Sequence, residues 1–419
     1  MRSLRVMFAV VLGGLVTLVA TAQTPPPPPP GTVAQPMPKE GMDKDKKPEW
    51  PKEIGGRGPS DYVKDLSDPD PHIRNVAFQT LPKFGPDAQA IAGRPIVKAL
   101  EKEIITAYPA GKDVTVIAAG INAIKDLGLS NDTDIKDACR LLNSLILLSP
   151  NKALYRQYAI PTLAAFGRKA ENGVTTLTQG DVIQDPSYEI RRLAANSLYY
   201  VGQDEHRGPT VKALDTLTTY CIKDVSAAVR VEAFQTLVMF GPPILARSAS
   251  DTKPPEINKD MARRYLGPIK NRLAIEKDKQ VEAWARLAVM RFDPDKEIND
   301  KNLTDLAQII AKGNSMAKVH GLNAIALLGE RAEKQLKTIL EQLRSDDPAV
   351  VDAAVNALVA MPLAAKPNLP EIKSQLEKRP EEYFKELLKV ATKLIEEAKP
   401  PGSPSDTPAP TDPAMPPKK

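Results

Sequence analysis

A helical pattern of apolar positions recurs along most of this chain. The pattern has a small residue, an aliphatic residue four positions later, an apolar residue seven positions later and often a following glycine. Positions 0, 4 and 7 lie on one face of an α-helix. Two copies are nearly identical: "AFQTLPKFGP" begins at Ala77 and "AFQTLVMFGP" begins at Ala233. We therefore predict a helix with one buried face at each copy.

Eight copies of this pattern follow one another along the chain, separated by 33 to 52 residues. Each is preceded by a turn rich in aspartate, proline, serine and asparagine, residues that cap helix N-termini. A further apolar helix is predicted before the turn, for example over 96–105 and 211–220. The small first residue, here called the anchor, allows a neighbouring helix to approach closely. The anchors are Ala77, Gly120, Ala159, Ala194, Ala233, Ala285, Gly321 and Ala354.

The repeating unit is therefore a helix, a turn and a second helix, about 40 residues long. One such unit cannot bury both of its apolar faces, so neighbouring units must stack to build a continuous core. We predict an all-α fold, a right-handed α–α superhelix (a solenoid) of about eight helix–turn–helix repeats. Residues 383–398 fit a final capping helix with a charged outer face.

With its Asp/Pro turns, small anchors and aliphatic positions, the chain resembles the HEAT-repeat family of armadillo-like α-solenoids. An arginine three positions before several anchors strengthens the likeness. The resemblance implies a ladder in which turn aspartates pair with helix arginines between neighbouring repeats. It also implies a scaffold that holds other proteins, although a fold does not by itself fix a function. The ladder residues are Asp70, Arg74, Arg156, Asp185, Arg191, Asp224 and Arg230.

The resemblance assigns partners to three of these arginines and fails in other repeats. The position three before the anchor holds a residue other than arginine in the second repeat and in the last three, where the ladder is in doubt. Those residues are Ile117, Glu282, Lys318 and Val351. The pairs that the resemblance implies are Asp70 with Arg74, Asp185 with Arg191, and Asp224 with Arg230.

Composition divides the chain into a globular part and two proline-rich flanks. The 40 prolines crowd near both ends, while 42% of the residues are hydrophobic, which is ample for a core. We predict a signal peptide over 1–22, a disordered proline-rich linker over 23–56, the solenoid over 57–398 and a disordered tail over 399–419. The flanks are too poor in apolar groups to fold, and they act as spacers or as ligands for a proline-binding domain.

The first 22 residues have the features of a secretory signal. A basic start with Arg2 and Arg5 is followed by an apolar run over 6–20 and the small-residue sequence "ATA". The alternative is an uncleaved membrane anchor, but fifteen apolar residues are short for a span of about 20. We predict export to the periplasm or the exterior, with no membrane insertion after cleavage.

Charge and cysteine content exclude some partners and bonds. The formal net charge is +5, and no basic stripe of the kind that marks nucleic-acid binders is evident. Cys139 and Cys221 would lie two repeats apart, about 20 Å at roughly 10 Å per helix layer. A disulfide needs Cα atoms within about 7 Å. We therefore predict two buried, unpaired cysteines, and no nucleic-acid partner.

Candidate chemistry is sparse. His72, His206 and His320 lack the spacing of metal ligands. The "SMAK" of residues 315–318 matches a Ser-x-x-Lys motif without its companion motifs, and a capping serine at a helix start explains it better. The acidic stretches at 131–137 and 293–300 lack the glycine and final glutamate of a calcium loop. We predict no catalytic residue, metal or cofactor; the alternative is an enzyme, or an enzyme's regulatory subunit, with an unrecognised site.

A column of carboxamides is the candidate binding site. The residue two positions past the anchor is an asparagine or glutamine in six of the eight repeats, Pro161 and Leu287 being the others. Two residues correspond to about 200° around a helix, so the column should point away from the packed face. Amides could bond the backbone of an extended peptide, or bond one another between repeats, or be solvated. The column is Gln79, Asn122, Asn196, Gln235, Asn323 and Asn356.

The sequence therefore predicts an exported, non-catalytic scaffold whose concave surface, lined by the second helices, holds a protein or peptide. A polar, proline-bearing insertion at 247–260 lengthens one repeat, and it is either functional or simply disordered. The identity of the partner and the oligomeric state remain open at this point.

Overall fold

The computed structural model describes residues 50–107, 114–147, 153–203, 209–240, 259–293 and 296–398. The chain divides into two compact units, Met1–Trp50 and Pro51–Lys419, and all helices described below belong to the second. The predicted signal peptide, most of the linker, nearly all of the 247–260 insertion and the tail lie outside the described residues. They stay predictions.

Each repeat contains a first helix and a second helix, and the second helices carry the anchors. The second helices are α2 (Pro71–Thr80), α4 (Val114–Leu127), α6 (Ala153–Ala165), α9 (Tyr188–Val201), α11 (Ala227–Met239), α13 (Lys279–Phe292), α15 (Ser315–Ala326) and α17 (Pro348–Ala360). The first helices are α1 (Pro59–Asp65), α3 (Gln89–Ala107), α5 (Asp132–Leu147), the short pair α7 (Gly173–Leu177) and α8 (Gly180–Ile183), α10 (Val211–Thr219), α12 (Lys259–Ile275), α14 (Lys296–Lys312) and α16 (Leu336–Gln342).

Three helices follow the eighth repeat, and short 3₁₀ turns join several elements. The helices are α18 (Pro362–Ala365), α19 (Leu369–Glu377) and α20 (Glu382–Glu396), the last of which matches the predicted capping helix. The 3₁₀ turns are Leu81–Phe84, Pro86–Ala88, Gly167–Lys169, Cys221–Lys223, Gly329–Gln335 and Lys366–Asn368.

The second helices pack in a single file. Each contacts the next, from α2 through α4, α6, α9, α11, α13 and α15 to α17, and each also packs on the first helix or helices of its own repeat. This succession of nearest-neighbour contacts is the organisation of an α-solenoid. The predicted all-α class is confirmed: among the described residues, strand pairing is limited to two isolated bridges. The right-handedness of the superhelix stays a prediction.

The anchors lie inside the packed interface, as predicted. All eight are buried, and so are all eight residues four positions later. Close approach is tightest at the two glycine anchors: a Cβ on Gly321 would lie 2.7 Å from Ile310 Cγ1, and one on Gly120 would lie 3.0 Å from Leu100 Cδ1. Real side chains do not pack as close as 2.7 Å, so the first helix of the seventh repeat fits only against glycine.

Among the described residues, most of the glycines that follow the second helices have a positive φ. Gly202 is the exception, with φ at −84°, because α9 ends without a reversal of the backbone. A positive φ is a conformation that favours glycine. It is found at Gly85, Gly128, Gly167 and Gly329.

The first described residues form a turn that is bound to the first repeat. Ile54 and Arg57 pair through their backbones around Gly55 and Gly56, both of which have positive φ. The Tyr62 hydroxyl of α1 donates to the Ile54 carbonyl oxygen at 2.9 Å. The boundary predicted between residues 56 and 57 therefore falls inside an ordered turn, because backbone and side-chain bonds hold these polar residues.

Candidate protein-binding surface

An arginine ladder joins the second helices of neighbouring repeats. In the fourth repeat, Arg191 Nε and Nη2 donate to the two carboxylate oxygens of Asp224 at 2.7 and 2.9 Å. Its Nη1 donates to the carbonyls of Asp185 and Pro186 in its own turn, at 2.6 and 3.2 Å. One guanidinium thus joins the turn of its own repeat to the acid of the next.

Two further arginines make the same set of bonds. Arg74 bonds the carbonyls of its own turn and the carboxylate of Glu103 in α3. Arg230 bonds the carbonyls of its own turn and both oxygens of Glu276, at 2.9 Å each. Burial alone would raise the pKa of Glu276, but hydrogen bonds from Arg230 and Arg272 outweigh it and lower that pKa to about 2.

The ladder itself is present, but the predicted pairs were wrong by one repeat. Arg191 pairs with Asp224 rather than Asp185, and Arg156 takes Asp185 instead. The reason is the position of the arginine. The turn aspartate still caps its own helix, since Asp224 Oδ1 accepts from the Ser226 nitrogen at 2.8 Å while its carboxylate also accepts from Arg191. An arginine one turn into the helix bonds the turn's carbonyls with one nitrogen and extends its other two to the next repeat.

The carboxamide column is less uniform than predicted. Gln79 is exposed, and Asn122, Asn196, Asn323 and Asn356 are half-buried. The outward orientation expected for Gln235 is wrong, because its side chain is only 8% exposed. Each second helix is flanked by two others, so a residue 200° from the anchor still lies near a neighbour. Crowding is greatest in α13, where Leu287 of the same column is fully buried.

One amide of the column bonds between repeats instead of facing a ligand. Asn196 Nδ2 donates to Glu232 Oε1 at 2.7 Å, joining α9 to α11, and Arg192 Nη1 donates to Glu232 Oε2 at 3.2 Å. Burial raises the pKa of the Glu232 carboxyl despite these bonds. Burial would lower the pKa of Arg192, but the carboxylates of Glu232 and Glu189 outweigh it and raise that pKa. The network aligns two second helices.

An apolar patch lies beside this network, and the sequence reasoning missed it. Leu154 of α6, Tyr200 of α9 and Met239 of α11 are 43%, 42% and 44% exposed. They lie five positions before or six after their anchors, which is within about 40° of the amide column around the helix. Tyr188, also 42% exposed, lies at the start of α9. Leu154 and Tyr188 are thus at the N-terminal ends of their helices, and Tyr200 and Met239 are at the C-terminal ends of theirs. The signal was available, because these helix positions should be polar if they face only water.

The buried titratable side chains in the described part of the chain lie in structural contacts or in the core. No group of three or more His, Cys, Asp or Glu side chains there could hold a metal ion. His320 accepts a hydrogen bond at Nδ1 from Trp284 Nε1 at 2.9 Å, and burial lowers its pKa to about 4. Cys139 and Cys221 are buried and free, and burial raises their pKa values to about 11 and about 12.

The sequence motifs set aside as helix caps are found at helix starts. Asn314 rather than Ser315 caps α15, accepting from the Ala317 nitrogen at 2.9 Å. Asn131 accepts from the Thr133 nitrogen at 2.9 Å ahead of α5. Over the described residues, no single helix has the length and apolarity to cross a membrane; the pair Pro348–Ala360 and Pro362–Glu377, bent by 106°, reaches that length and apolarity only when the two helices are counted together.

Comparison with known proteins finds likeness in solved structures alone. No family model matches the chain, and no curated protein matches it. The crystal structure of an engineered protein is similar over 81% of this chain and 99% of its own, with 15% identity and a TM-score of 0.36. Karyopherin Kap121p bound to Pho4p is similar over 80% of this chain, with 15% identity and a TM-score of 0.40.

A second karyopherin structure gives the same picture. Kap121p bound to the extreme C-terminus of the protein phosphatase Cdc14p is 13% identical over 80% of this chain, with a TM-score of 0.39. The chain spans 37% of the karyopherin's length in both structures. At these TM-scores the likeness carries no argument about function. The HEAT-like α-solenoid architecture follows from the packing of the helix pairs themselves.

Proposed function

We propose that this protein binds a protein partner on the apolar patch of α6, α9 and α11, which is Leu154, Tyr188, Tyr200 and Met239. The observation that carries the proposal is the exposure of four large apolar side chains on three consecutive second helices. They form two pairs on neighbouring helices, Leu154 with Tyr188 at the helix starts and Tyr200 with Met239 at the helix ends. Apolar side chains gathered on an exposed surface mark interaction sites. Tyrosine and methionine are among the residues enriched where proteins meet.

The amides give this surface a way to orient an extended segment. Gln79 and Asn122 continue the column on the N-terminal side of the patch, and Asn323 and Asn356 continue it on the other side. A carboxamide offers both a donor and an acceptor to a peptide backbone. In this proposal Asn196 and Gln235 act indirectly, since the first bonds Glu232 and the second is buried.

We further propose that the chain is exported and that it is not an enzyme. The basic start, apolar run and small-residue cleavage sequence support export. Two ionisable groups with perturbed pKa values support a role without catalysis, because each lies in a structural contact: Glu276 bonds the ladder arginine Arg230, and His320 accepts a hydrogen bond from Trp284. Mass spectrometry of the mature protein tests export, and an N-terminus at Gln23 is the expected result.

Site-specific photocrosslinking tests the binding surface. A photoreactive amino acid at position 200 should give a discrete crosslinked partner band in cell-envelope extract, and the same amino acid at position 211 should not. Val211 is a matched control because it is 45% exposed but lies on a first helix, α10. Equal crosslinking from both positions, or from neither, would count against the patch.

A substitution then links the crosslink to binding. Replacing Tyr200 by serine removes an aromatic side chain that is already partly exposed, so the fold should persist. We expect the captured partner to fall by about tenfold, the size of effect that one well-packed interface residue can produce. Capture that is unchanged by this substitution would refute the assignment.

A further inference from the structure

The last described helix, α20, has two apolar stripes, and the described part of the chain covers one of them. Phe384, Ala391 and Ile395 are buried against α17, α18 and α19. A second stripe, 100° further around the helix, contains Tyr383, Leu387, Val390 and Leu394. Tyr383 is 59% exposed and Val390 is 56% exposed, and the two leucines are half-buried.

A bare apolar stripe is unusual at the end of a solenoid. The terminal repeat normally presents a polar face, because no further repeat follows to cover it. The Tyr383 hydroxyl donates to Asp352 Oδ1 of α17 at 2.5 Å, which holds the ring at the edge of the stripe. The stripe is thus a fixed surface that matches the interface of another helix.

The spacing of the stripe indicates what the other helix is. Its members are separated by 4, 3 and 4 residues, so the order is the same read in either direction. In an antiparallel pair of α20 helices, a twofold axis between residues 388 and 389 places Tyr383 opposite Leu394 of the other copy. The same axis places Leu387 opposite Val390. Every member of the stripe then meets another member.

Charge favours the same arrangement. Glu386 borders one side of the stripe in the first half of α20, and Lys393 borders the same side in the second half. An antiparallel pair brings Glu386 of each helix near Lys393 of the other, whereas a parallel pair places each of these residues opposite a like charge. We propose that a second copy of this chain docks on the stripe and that α20 forms an antiparallel twofold interface.

The interface is small, so the dimer should be in exchange with the monomer. A stripe of four residues on a 15-residue helix would bury less than the roughly 800 Å² per partner of a standard interface. Analytical ultracentrifugation of the full chain from about 1 to 200 μM should therefore show a monomer–dimer equilibrium. A chain that stays monomeric throughout this range would overturn the proposal.

Single substitutions locate the contact. Val390→Lys should weaken dimerisation by at least about tenfold, because a charge would be buried between two apolar stripes. Val225→Lys is the control: Val225 is 92% exposed in a turn far along the chain from α20, and its replacement should leave the equilibrium unchanged. Circular dichroism establishes that each variant is folded. A folded Val390→Lys variant that dimerises normally would contradict the assignment.

A charge exchange tests the antiparallel orientation. Glu386→Lys and Lys393→Glu should each weaken dimerisation, since each opposes like charges across the twofold axis. The double variant restores opposite charges in an antiparallel pair and should regain the wild-type dissociation constant. In a parallel pair, residue 386 meets residue 386 and the double variant regains nothing, so a failure of rescue would refute the orientation.

Discussion

Arg191 offers the sharpest test of what holds the repeats together. Its side chain is 11% exposed and its partner Asp224 is 10% exposed. Arg191→Met keeps most of the side-chain volume but removes two bonds to the Asp224 carboxylate and two to turn carbonyls. Removing one member of a buried pair costs about 3–5 kcal/mol. Because these side chains retain some contact with water, we expect about 3 kcal/mol.

Arg94→Met is the matched control for this prediction. Arg94 also joins neighbouring repeats, from α3 to Asp134 and Asp137 of α5, but its side chain is 44% exposed. Ion pairs exposed to solvent contribute little to stability. Its removal should leave the unfolding transition almost unchanged.

Urea unfolding and hydrogen exchange together provide the assay. Solenoids can open a few repeats at a time, so a single global transition cannot be assumed. We expect faster exchange in Arg191→Met at the backbone amides of residues 185–201 and 224–230, on the two sides of the missing contact. Equal unfolding midpoints and equal exchange for the two variants would refute the ladder's role.

Two other predictions test the core. Gly321→Ala should destabilise the protein by about 1–2 kcal/mol, because the added methyl overlaps an α14 side chain by more than the gain in helix propensity can offset. Gly93→Ala should stabilise the protein by up to about 1 kcal/mol, since the added Cβ would make ordinary contacts at 3.4 Å and beyond. The urea unfolding midpoints of the two variants test both predictions. A stability change of the same sign in both variants would be inconsistent with this packing. Burial lowers the pKa of His320 to about 4 from 6.5, so the folded state takes up this proton less readily than the unfolded chain. The neutral, buried His320 side chain contributes up to about 3 kcal/mol to the free energy of unfolding above about pH 6.5. This contribution is lost as the pH falls toward 4. His320→Gln should remove that part of the acid sensitivity of thermal unfolding, and an unchanged pH profile would show that His320 contributes nothing.

The architecture could be predicted because it depends on local spacing. Anchors such as Ala77 and Gly321 had to be small, and the residue four positions later had to be apolar, wherever two helices pack at close range. All of these requirements concern positions within a stretch of eight residues. The resemblance to HEAT repeats added the ladder arginines, and Arg156, Arg191 and Arg230 each bond an acidic side chain of the next repeat.

Properties that depend on two repeats at once were harder to predict. The partner of Arg191 is 33 residues away, and nothing local distinguishes Asp224 from Asp185. The burial of Gln235 depends on how closely α9 and α13 flank α11, which the sequence around Gln235 does not encode. The sequence reasoning missed the apolar patch because an apolar residue in a helix is, from sequence alone, equally consistent with a place in the core.

The arginine ladder has a mechanical consequence. Rungs connect the third repeat to the fourth, the fourth to the fifth and the fifth to the sixth, through Arg156, Arg191 and Arg230. From the sixth repeat onward, the position three before the anchor holds no arginine. We therefore expect the middle repeats to move less relative to one another than the C-terminal repeats do. The apolar patch lies on repeats three to five, among these middle repeats. A partner that binds there would lose little free energy in ordering the surface, because the rungs have already fixed the spacing of its helices.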